Sequence, residues 1–234
     1  MSGAGAAQAD DDLAKVKSVA VISAIGDCVE LYSADQLGGL FSMMDRQCLP
    51  SADWQLDEAV TKQIADAVGG RFKVKRVKYD RATFSRIPRS LIPDQEAPIE
   101  RPLQSVSNPG VDAYFVVTKS ELADDTGNSA STREGLGLAH QNAGMFNARS
   151  TTMYAAYTIR VVNARTLETL ETEGAHLPES GLLPRIAEID VDNDLWSSRV
   201  ERLTADQKAQ IKTKMAALVH DSIAATLQSM NLAP

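Results

Sequence analysis

The segment from Met153 to Glu173 constrains the fold of this chain more than any other part of the sequence. Its first half alternates side chains with the period of two that a β-strand requires, with Tyr157, Ile159 and Val161 on one face. Residues 163–166 then supply a short polar reversal, and the chain continues as a second extended run. The segment therefore predicts two long antiparallel strands, which make a sheet the scaffold of the protein.

Further strands and helices flank this pair and give a mixed pattern. Apolar, β-branched runs predict strands, and apolar residues spaced by about four predict helices. The predicted strands are 16–23, 28–33, 40–47, 71–79 and 111–118, and the predicted helices are 56–68, capped by Asp53, and a final helix that begins with a capping box at Thr204 and Gln207 and ends near Met230. We therefore predict an α/β fold of the α+β type, in which helices pack on a mixed, largely antiparallel sheet with long irregular loops.

Composition limits the domain organisation and the class of partner. A chain of 234 residues that is 44% hydrophobic can bury one sizeable core, so residues 15–234 are predicted to form a single domain. Residues 1–14 are either a disordered leader or the remnant of an export signal, since Ala7-Gln8-Ala9 resembles a signal-peptidase site. A net charge of -7 argues against nucleic-acid binding. No apolar run is long enough to predict a transmembrane segment.

One short segment is strongly basic although the chain as a whole is acidic. Six basic residues fall between Arg71 and Arg81. Such a strip could meet anionic lipid, a polyanion or an acidic partner, but charge runs usually form a solvated strand face. We adopt the solvated face as the interpretation.

The two cysteines are placed for a disulfide. A hairpin after the first strand, reversing at Gly38-Gly39, would set Cys28 directly opposite Cys48. In an oxidising compartment the pair would form a bridge, and in the cytosol both would remain thiols. Redox catalysis is not predicted, because the spacing differs from the Cys-x-x-Cys that lowers a thiol pKa.

The Gly-rich, Ser-rich and Asn-rich segment from Glu121 to Ser150 is predicted to be a long loop. Such loops are often functional. Its apolar residues either form a partner-binding patch or fold back onto the core, and its polar residues are candidates for binding a small molecule. The candidate residues are Arg133, Glu134, Leu136, Leu138, His140, Met145 and Phe146.

One acidic segment has the spacing of calcium ligands. Asp190, Asp192, Asp194 and Glu201 match positions one, three, five and twelve of a calcium loop. Leu195 stands where the sharp turn of such a loop needs glycine, so a solvated acidic loop is the favoured interpretation and no cofactor is predicted. Trp196 beside it is predicted to be a packing residue.

The sequence contains no known catalytic motif, so none supplies candidate catalytic residues. His140, His176 and His220 are dispersed and do not form His-Glu-x-x-His. The glycines near Gly135 lack the third glycine of a dinucleotide site, and the chain has neither a phosphate-binding P-loop nor a Gly-x-Ser-x-Gly elbow.

The order of elements resembles a group of envelope proteins. A strand and a helix are followed by "GGRFKVKRV", "VDAYFVV", the pair around "YTIRVVNARTLETLE", and a closing helix. This order is similar to the curli-assembly lipoprotein (CsgG-like) group and to the TolB amino-terminal domain. The resemblance implies a sheet backed by helices that serves as a docking platform. The chain departs from it by lacking a lipobox cysteine, by its cysteine-bearing hairpin, and by Asn163-Ala-Arg-Thr-Leu where Asp-x-x-Thr-Gly is more typical.

Two functional hypotheses follow. In the first, the protein is a non-catalytic periplasmic binding or adaptor protein of the bacterial cell envelope with an envelope protein as partner. In the second, it is a small-molecule-binding domain or an enzyme of unrecognised type that uses the segment 121–150, with Arg133, Glu134 and His140 as its polar groups.

Overall fold

A computed structural model of the chain describes residues 13–37, 41–85, 98–107, 110–122, 133–143, 148–178 and 185–233. In this described part of the chain, helices pack on a mixed sheet, so the predicted fold class is confirmed.

The described strands are β1 (Ser18–Ala24), β2 (Cys28–Leu37), β3 (Phe41–Pro50), β4 (Lys73–Val74), β5 (Ala113–Lys119), β6 (Glu121–Leu122), β7 (Arg133–Ala143), β8 (Ala148–Asn163), β9 (Thr169–Gly174), β10 (His176–Leu177), β11 (Arg185–Ile186) and β12 (Glu188–Val191). The described helices are α1 (Leu56–Val68), α2 (Arg81–Ser85), α3 (Glu100–Gln104) and α4 (Ala205–Ser229), with 3-10 turns at Ala52–Trp54, Asn193–Leu195 and Val200–Arg202.

The sixteen-residue strand β8 organises the sheet. Neighbouring strands follow the path β3-β2-β7-β8-β5-β1-β4, and β9 and β12 also pair with β8. Lys119 of β5 lies opposite Tyr157, and Gly135 of β7 lies opposite the preceding residue, Ala156, so β5 and β7 occupy consecutive stretches of β8. At one end the sheet therefore contains β4, β1, β5, β8 and β9, and at the other end β3, β2, β7, β8 and β12.

Helices α1 and α4 cover one face of this sheet and form the main core with it. The cluster includes Val19, Phe115 and Tyr157 from the strands, Ile64 from α1 and Met215 from α4, all buried. A second cluster on the opposite face joins β1 and β5 to α2 and α3. The alternation predicted for β8 is confirmed, because its odd-numbered apolar residues lie in the main core.

Both long helices lie where the sequence predicts them, but their amino termini differ. The Thr204 capping box is confirmed, because the Gln207 amide donates to Thr204 Oγ1 at 3.2 Å and the Thr204 amide donates to Gln207 Oε1 at 2.8 Å. The predicted Asp53 cap is wrong. A 3-10 turn occupies Ala52–Trp54, and the chain enters α1 through Gln55 in a left-handed conformation with φ 58°.

The predicted β2-β3 hairpin is confirmed, but its register differs from the prediction. Cys28 pairs with Pro50, and Cys48 pairs with Glu30. Each residue of β2 therefore pairs with a residue two positions further along β3 than the predicted pairing requires. The two cysteines are therefore diagonal neighbours rather than directly opposite.

The prediction of a long loop over 121–150 is wrong for its described residues. β7 and the start of β8 pair over most of the residues of this segment that the structure describes, from Gly135 opposite Ala156 to Ala143 opposite Ala148. The glycines and polar residues that suggested a loop are tolerated because the neighbouring strand supplies the backbone hydrogen bonds and close packing. The predicted strand 71–79 is also shorter, since only Lys73 and Val74 pair with β1.

Candidate functional site

Two neighbouring clefts lie near the carboxyl ends of β1 and β5, which run parallel. Ligands of α/β sheets usually bind outside the carboxyl ends of parallel strands. Asp27, just after β1, lines the larger cleft, and Lys119 at the end of β5 lines the smaller cleft. These two side chains form an ion pair, so the clefts share a charged boundary.

The smaller cleft, called here the disulfide cleft, has a volume of about 260 Å³. Cys28 and Cys48 form a disulfide on its wall, with their Cα atoms 5.6 Å apart. Cys48 is exposed. The other lining residues are Glu30, Arg46, Gln47, Lys119, Glu134 and Leu136. The lining thus combines two cations with two carboxylates, an arrangement suited to a polar or charged ligand group.

A hydrogen-bonded network anchors Glu30 in this cleft. The Tyr154 hydroxyl donates to Glu30 Oε2 at 2.9 Å, and Arg46 Nη1 donates to Glu30 Oε1 at 3.1 Å. Burial raises the pKa of the Tyr154 phenol, and the Glu30 carboxylate adds to the effect. The phenol therefore stays a hydrogen-bond donor across the physiological range. Because β7 carries no side chain at Gly137, the Tyr154 ring can lie against its backbone.

Arg133, a candidate from the sequence, is used inside the fold. Its Nη1 lies 2.5 Å from Glu188 Oε1, and its guanidinium lies 5.4 Å from the centre of the Tyr154 ring. The side chain therefore joins the start of β7 to β12 and covers the ring of Tyr154. A similar stack places Arg46 5.2 Å from the centre of the Tyr32 ring.

The larger cleft, called here the Asp57 cleft, has a volume of about 1020 Å³. Behind it, the buried carboxylate of Asp57 at the start of α1 accepts hydrogen bonds from Ser23 Oγ at 2.6 Å and from the Ile25 amide at 2.8 Å. Arg81 Nε lies 3.3 Å from Asp57 Oδ2, and Arg81 Nη2 lies 2.5 Å from Glu58. The network fixes the turn between β1 and α1. Residues lining the cleft are Asp27, Glu58, Val77, Lys78, Tyr79, Asp80, Arg81, Ala82 and Ser85.

Opposing effects act on the Asp57 carboxyl. Burial raises its pKa above the ordinary value, while the Ser23 and Ile25 hydrogen bonds and the Arg81 charge lower it, and burial is the larger effect. The hydroxyl of Tyr79 bonds both the amide and the carbonyl of Ser23, at 3.1 and 2.9 Å. The carboxylate therefore sits in a site whose polar groups are largely satisfied by the protein itself.

The structure separates the candidates of the segment 121–150. Leu136 and Leu138 are 1% and 0% exposed and lie in the main core. Of the two alternatives for the apolar residues of this segment, these two therefore fold back onto the core. Buried side chains of this kind cannot form an exposed partner-binding patch. Glu134 lines the disulfide cleft, which makes it the polar candidate best placed for binding. Met145 and Phe146 lie outside the described residues.

His140 is also engaged within the fold. Its ring stacks on Trp196 at 5.2 Å between centroids with an interplanar angle of 7°, and its Nδ1 lies 2.9 Å from Thr151 Oγ1. Thr151 donates in turn to Asn193 Oδ1 at 2.9 Å. The chain of contacts ties β7 and β8 to the 3-10 turn at Asn193–Leu195. Trp196 packs against the main core, as predicted for a packing residue.

The residues with calcium-loop spacing do not form a common site. Asp190 belongs to β12 and pairs with Thr152 of β8, while Asp194 and Glu201 lie in separate 3-10 turns. Asp192 precedes the first of these turns. Pairing with β8 holds Glu188–Val191 in an extended conformation, whereas a calcium loop must wrap around the ion. Within the described part of the chain, no three His, Cys, Asp or Glu side chains are grouped to hold a metal ion.

Sequence reasoning missed the network residues Glu30, Asp57, Tyr79, Arg81 and Tyr154. Asp57 carried a weak signal, since it is a carboxylate at the start of an apolar helical stripe. Tyr154 and Glu30 carried none, because their contact joins positions 124 residues apart.

Comparison with known proteins gives no family for the chain. No family model matches it. No curated protein matches it. Among solved structures, protein XCC0632 from Xanthomonas campestris, described with the family DUF330, is similar at a TM-score of 0.32 and 8% identity, over 92% of this chain and 88% of that chain. Similarity at this level supports no argument about fold or function. None of the described helices combines the length and apolar character needed to cross a membrane.

Proposed function

We propose that the protein is a non-catalytic binding or adaptor protein of the bacterial cell envelope, acting in the periplasm on an envelope protein partner. The observation that carries the proposal is the disulfide that joins both cysteines of the chain. Disulfides persist in oxidising compartments and are rare in the bacterial cytosol. The order of elements that resembles CsgG-like and TolB amino-terminal docking platforms supports the same compartment.

The disulfide cleft is the proposed docking point for the partner. Small-molecule pockets are mostly apolar, whereas this cleft presents Arg46, Lys119, Glu30 and Glu134 beside the bridge. Mixed charges of this kind fit a polar segment of a protein partner. The Glu30–Tyr154 hydrogen bond and the bridge hold the wall in place, which lowers the entropy cost of binding.

Compartment and thiol state can be tested together. The gene is expressed with its natural upstream region, the cells are fractionated, and the intact mass is measured with and without alkylation under denaturing conditions. We expect periplasmic protein with no free thiol. Cytoplasmic protein that carries two alkylated cysteines would overturn the proposed function.

The docking point has its own test. A photo-crosslinking amino acid at Gln47, on the cleft wall, should give a discrete adduct in cells, and the Lys119→Glu change should remove it. The same amino acid at Lys212, exposed on α4, serves as the control and should give no such adduct. An adduct at both positions, or one that Lys119→Glu leaves unchanged, would contradict docking at the disulfide cleft.

Small-molecule binding is a second candidate, which the size of the Asp57 cleft and its place near the carboxyl end of β1 favour. A thermal-shift screen against charged metabolites tests it. A stabilising compound whose effect disappears in Lys78→Ala, but not in Lys212→Ala, would locate binding in this cleft. No compound giving this pattern would leave the adaptor role as the better supported function.

A further inference from the structure

At one end of the sheet, the two outer strands, β4 and β9, carry side chains of opposite charge. At the β4 edge, Arg71, Lys73, Arg76 and Lys78 are exposed, and these four residues are called here the cationic edge. At the β9 edge lie Glu168, which is exposed, and Glu173, and these two residues are called here the acidic edge. Both edges belong to the sheet end that contains β4, β1, β5, β8 and β9.

The backbone of the cationic edge is open to another strand. The amides of Lys73 and Lys75 donate to the carbonyls of Lys17 and Val19, each at 2.8 Å. Because successive residues of an extended chain direct their amides to alternate sides, the amides of Val74 and Arg76 point away from β1. Of the strands that the structure describes, none pairs with the outer side of β4.

The acidic edge is open in the same way. β9 pairs with β8 from Thr158 opposite Gly174 to Val162 opposite Thr169, and no other described strand pairs with it. The side chain of Glu173 is 43% exposed and lies 3.9 Å from His176 Nδ1. Across the described part of the chain, Lys73, Arg76, Lys78 and Glu168 form no ion pair, so their charge is available to a partner.

Strand direction allows the two edges to meet. β4 and β1 are parallel, β1 and β5 are parallel, and β8 is antiparallel to both β5 and β9. β4 and β9 therefore run in the same direction. A second copy displaced across the sheet would place its β9 alongside β4 as a parallel neighbour, and the sheet would continue from one copy to the next.

We propose that the protein self-associates head to tail, with the acidic edge of one copy docked along the cationic edge of another. Contacts between two cationic edges or two acidic edges would bring like charges together, so a two-fold symmetric pairing of either edge is disfavoured. The contact is therefore heterologous, and it leaves a free edge at each end of an open assembly. The proposal stands independently of the compartment and of the docking point in the disulfide cleft.

Edge lysines also have a purely protective explanation, because charge on an edge strand prevents unwanted pairing. The two explanations predict opposite results when charge is reversed. If the edge charges are only protective, the unaltered protein is a monomer, and the double change Lys73→Glu with Arg76→Glu leaves its mass unchanged. Head-to-tail docking predicts that this pair of changes, or Glu168→Lys with Glu173→Lys, abolishes an association that the unaltered protein shows.

Light scattering after size-exclusion chromatography, over a series of concentrations, measures the association. The mass-average should rise with concentration to at least twice the monomer mass, and high salt should lower it because the contact is charged. Either double variant alone should remain monomeric. An equimolar mixture of the two should regain the higher mass, since each variant then offers the edge that the other lacks.

A control separates this contact from the effect of net charge. Lys208→Glu with Lys212→Glu makes the same charge change near the amino end of α4, and this variant should associate like the unaltered protein. Far-ultraviolet circular dichroism checks that each variant is folded. A monomer at every concentration, or a mixture of folded variants that does not regain the higher mass, would overturn the proposal.

Discussion

At the residue scale, Gly137 shows how one position can decide whether a network forms. A Cβ at this position would lie 2.5 Å from Tyr154 Cζ and 2.6 Å from the Glu30 carbonyl oxygen, closer than such atoms approach. The Tyr154 ring is fully buried and bonded to Glu30, so it has little room to move. Glycine is therefore required by close packing and not by the conformation of the backbone.

Gly137→Ala should lower the free energy of unfolding by about 2 kcal/mol, because overpacking a tight site forces neighbours to shift. Urea denaturation measures the change. Gly174→Ala is the matched control, since a Cβ there meets nothing within 4 Å. It should change the stability by less than about 0.5 kcal/mol. Equal effects of the two substitutions would show that the Tyr154 contact is not the cause.

The raised pKa of Asp57 predicts how the stability of the protein depends on pH. Because folding raises the pKa of this carboxyl above its ordinary value of 3.8, the folded chain holds the proton over a range where the unfolded chain has lost it. The stability that this proton contributes is complete below pH 3.8 and is lost as the pH rises through the folded pKa. The stability advantage over Asp57→Asn should therefore be largest in acid and should decrease as the pH rises.

Paired urea titrations of the two proteins across this range measure that advantage. At neutral pH, Asp57→Asn should still cost about 2 kcal/mol, because an amide nitrogen would replace an acceptor that faces the Arg81 guanidinium. An advantage that grows with pH would contradict the sign of the shift, and would mean that the hydrogen bonds and Arg81 outweigh burial.

At the element scale, predictions from sequence succeeded where local chemistry decides the structure. The start of α4 is set by the Thr204 capping box, and α1 ends at Val68 as its glycines indicate. They failed where pairing with a distant strand decides the structure. The sequence of β7 reads as a loop because its Gly and Asn residues have low β-propensity, and only β8 and β2 on either side make it a strand.

The candidate site was predictable to a smaller extent than the fold. Cys28, Cys48, Glu134 and Leu136 were singled out by sequence and line one cleft. The residues that organise both clefts, such as Asp57 and Tyr154, are defined by tertiary contacts with Ser23 and Glu30. Such contacts leave no spacing pattern in the sequence.

The disulfide should stabilise the β2-β3 hairpin against unfolding. Replacing both Cys28 and Cys48 by serine should lower the free energy of unfolding by about 3 kcal/mol, because the bridge closes a loop of about twenty residues in the unfolded chain. Urea denaturation with and without a reducing agent measures this change. Reductant should destabilise the unaltered protein by a similar amount and leave the serine variant unchanged. An effect of reductant on both proteins would point to another cause.

At the scale of the whole molecule, β8 connects the two ends of the sheet. One stretch of this strand pairs with β7 and β12, and the next pairs with β5 and β9. Its Tyr157 hydroxyl lies 2.6 Å from Ser222 Oγ of α4, so strand and helix are bonded near the point where the two stretches meet. The main core runs across both ends, from Val19 of β1 to Leu138 of β7. The main core therefore joins the two ends, although each end also has a smaller buried cluster of its own.

This arrangement predicts a single cooperative unfolding transition. The two tryptophans have different surroundings, since Trp54 directly precedes α1, which packs on β1, and Trp196 stacks on His140 of β7. Urea titrations of Trp54→Phe and Trp196→Phe, each followed by the fluorescence of the remaining tryptophan, should give the same midpoint as circular dichroism of the same variant. A fluorescence midpoint that differs from the circular dichroism midpoint of the same variant would mean that β8 breaks between Ala156 and Tyr157, and that the two ends unfold as separate units.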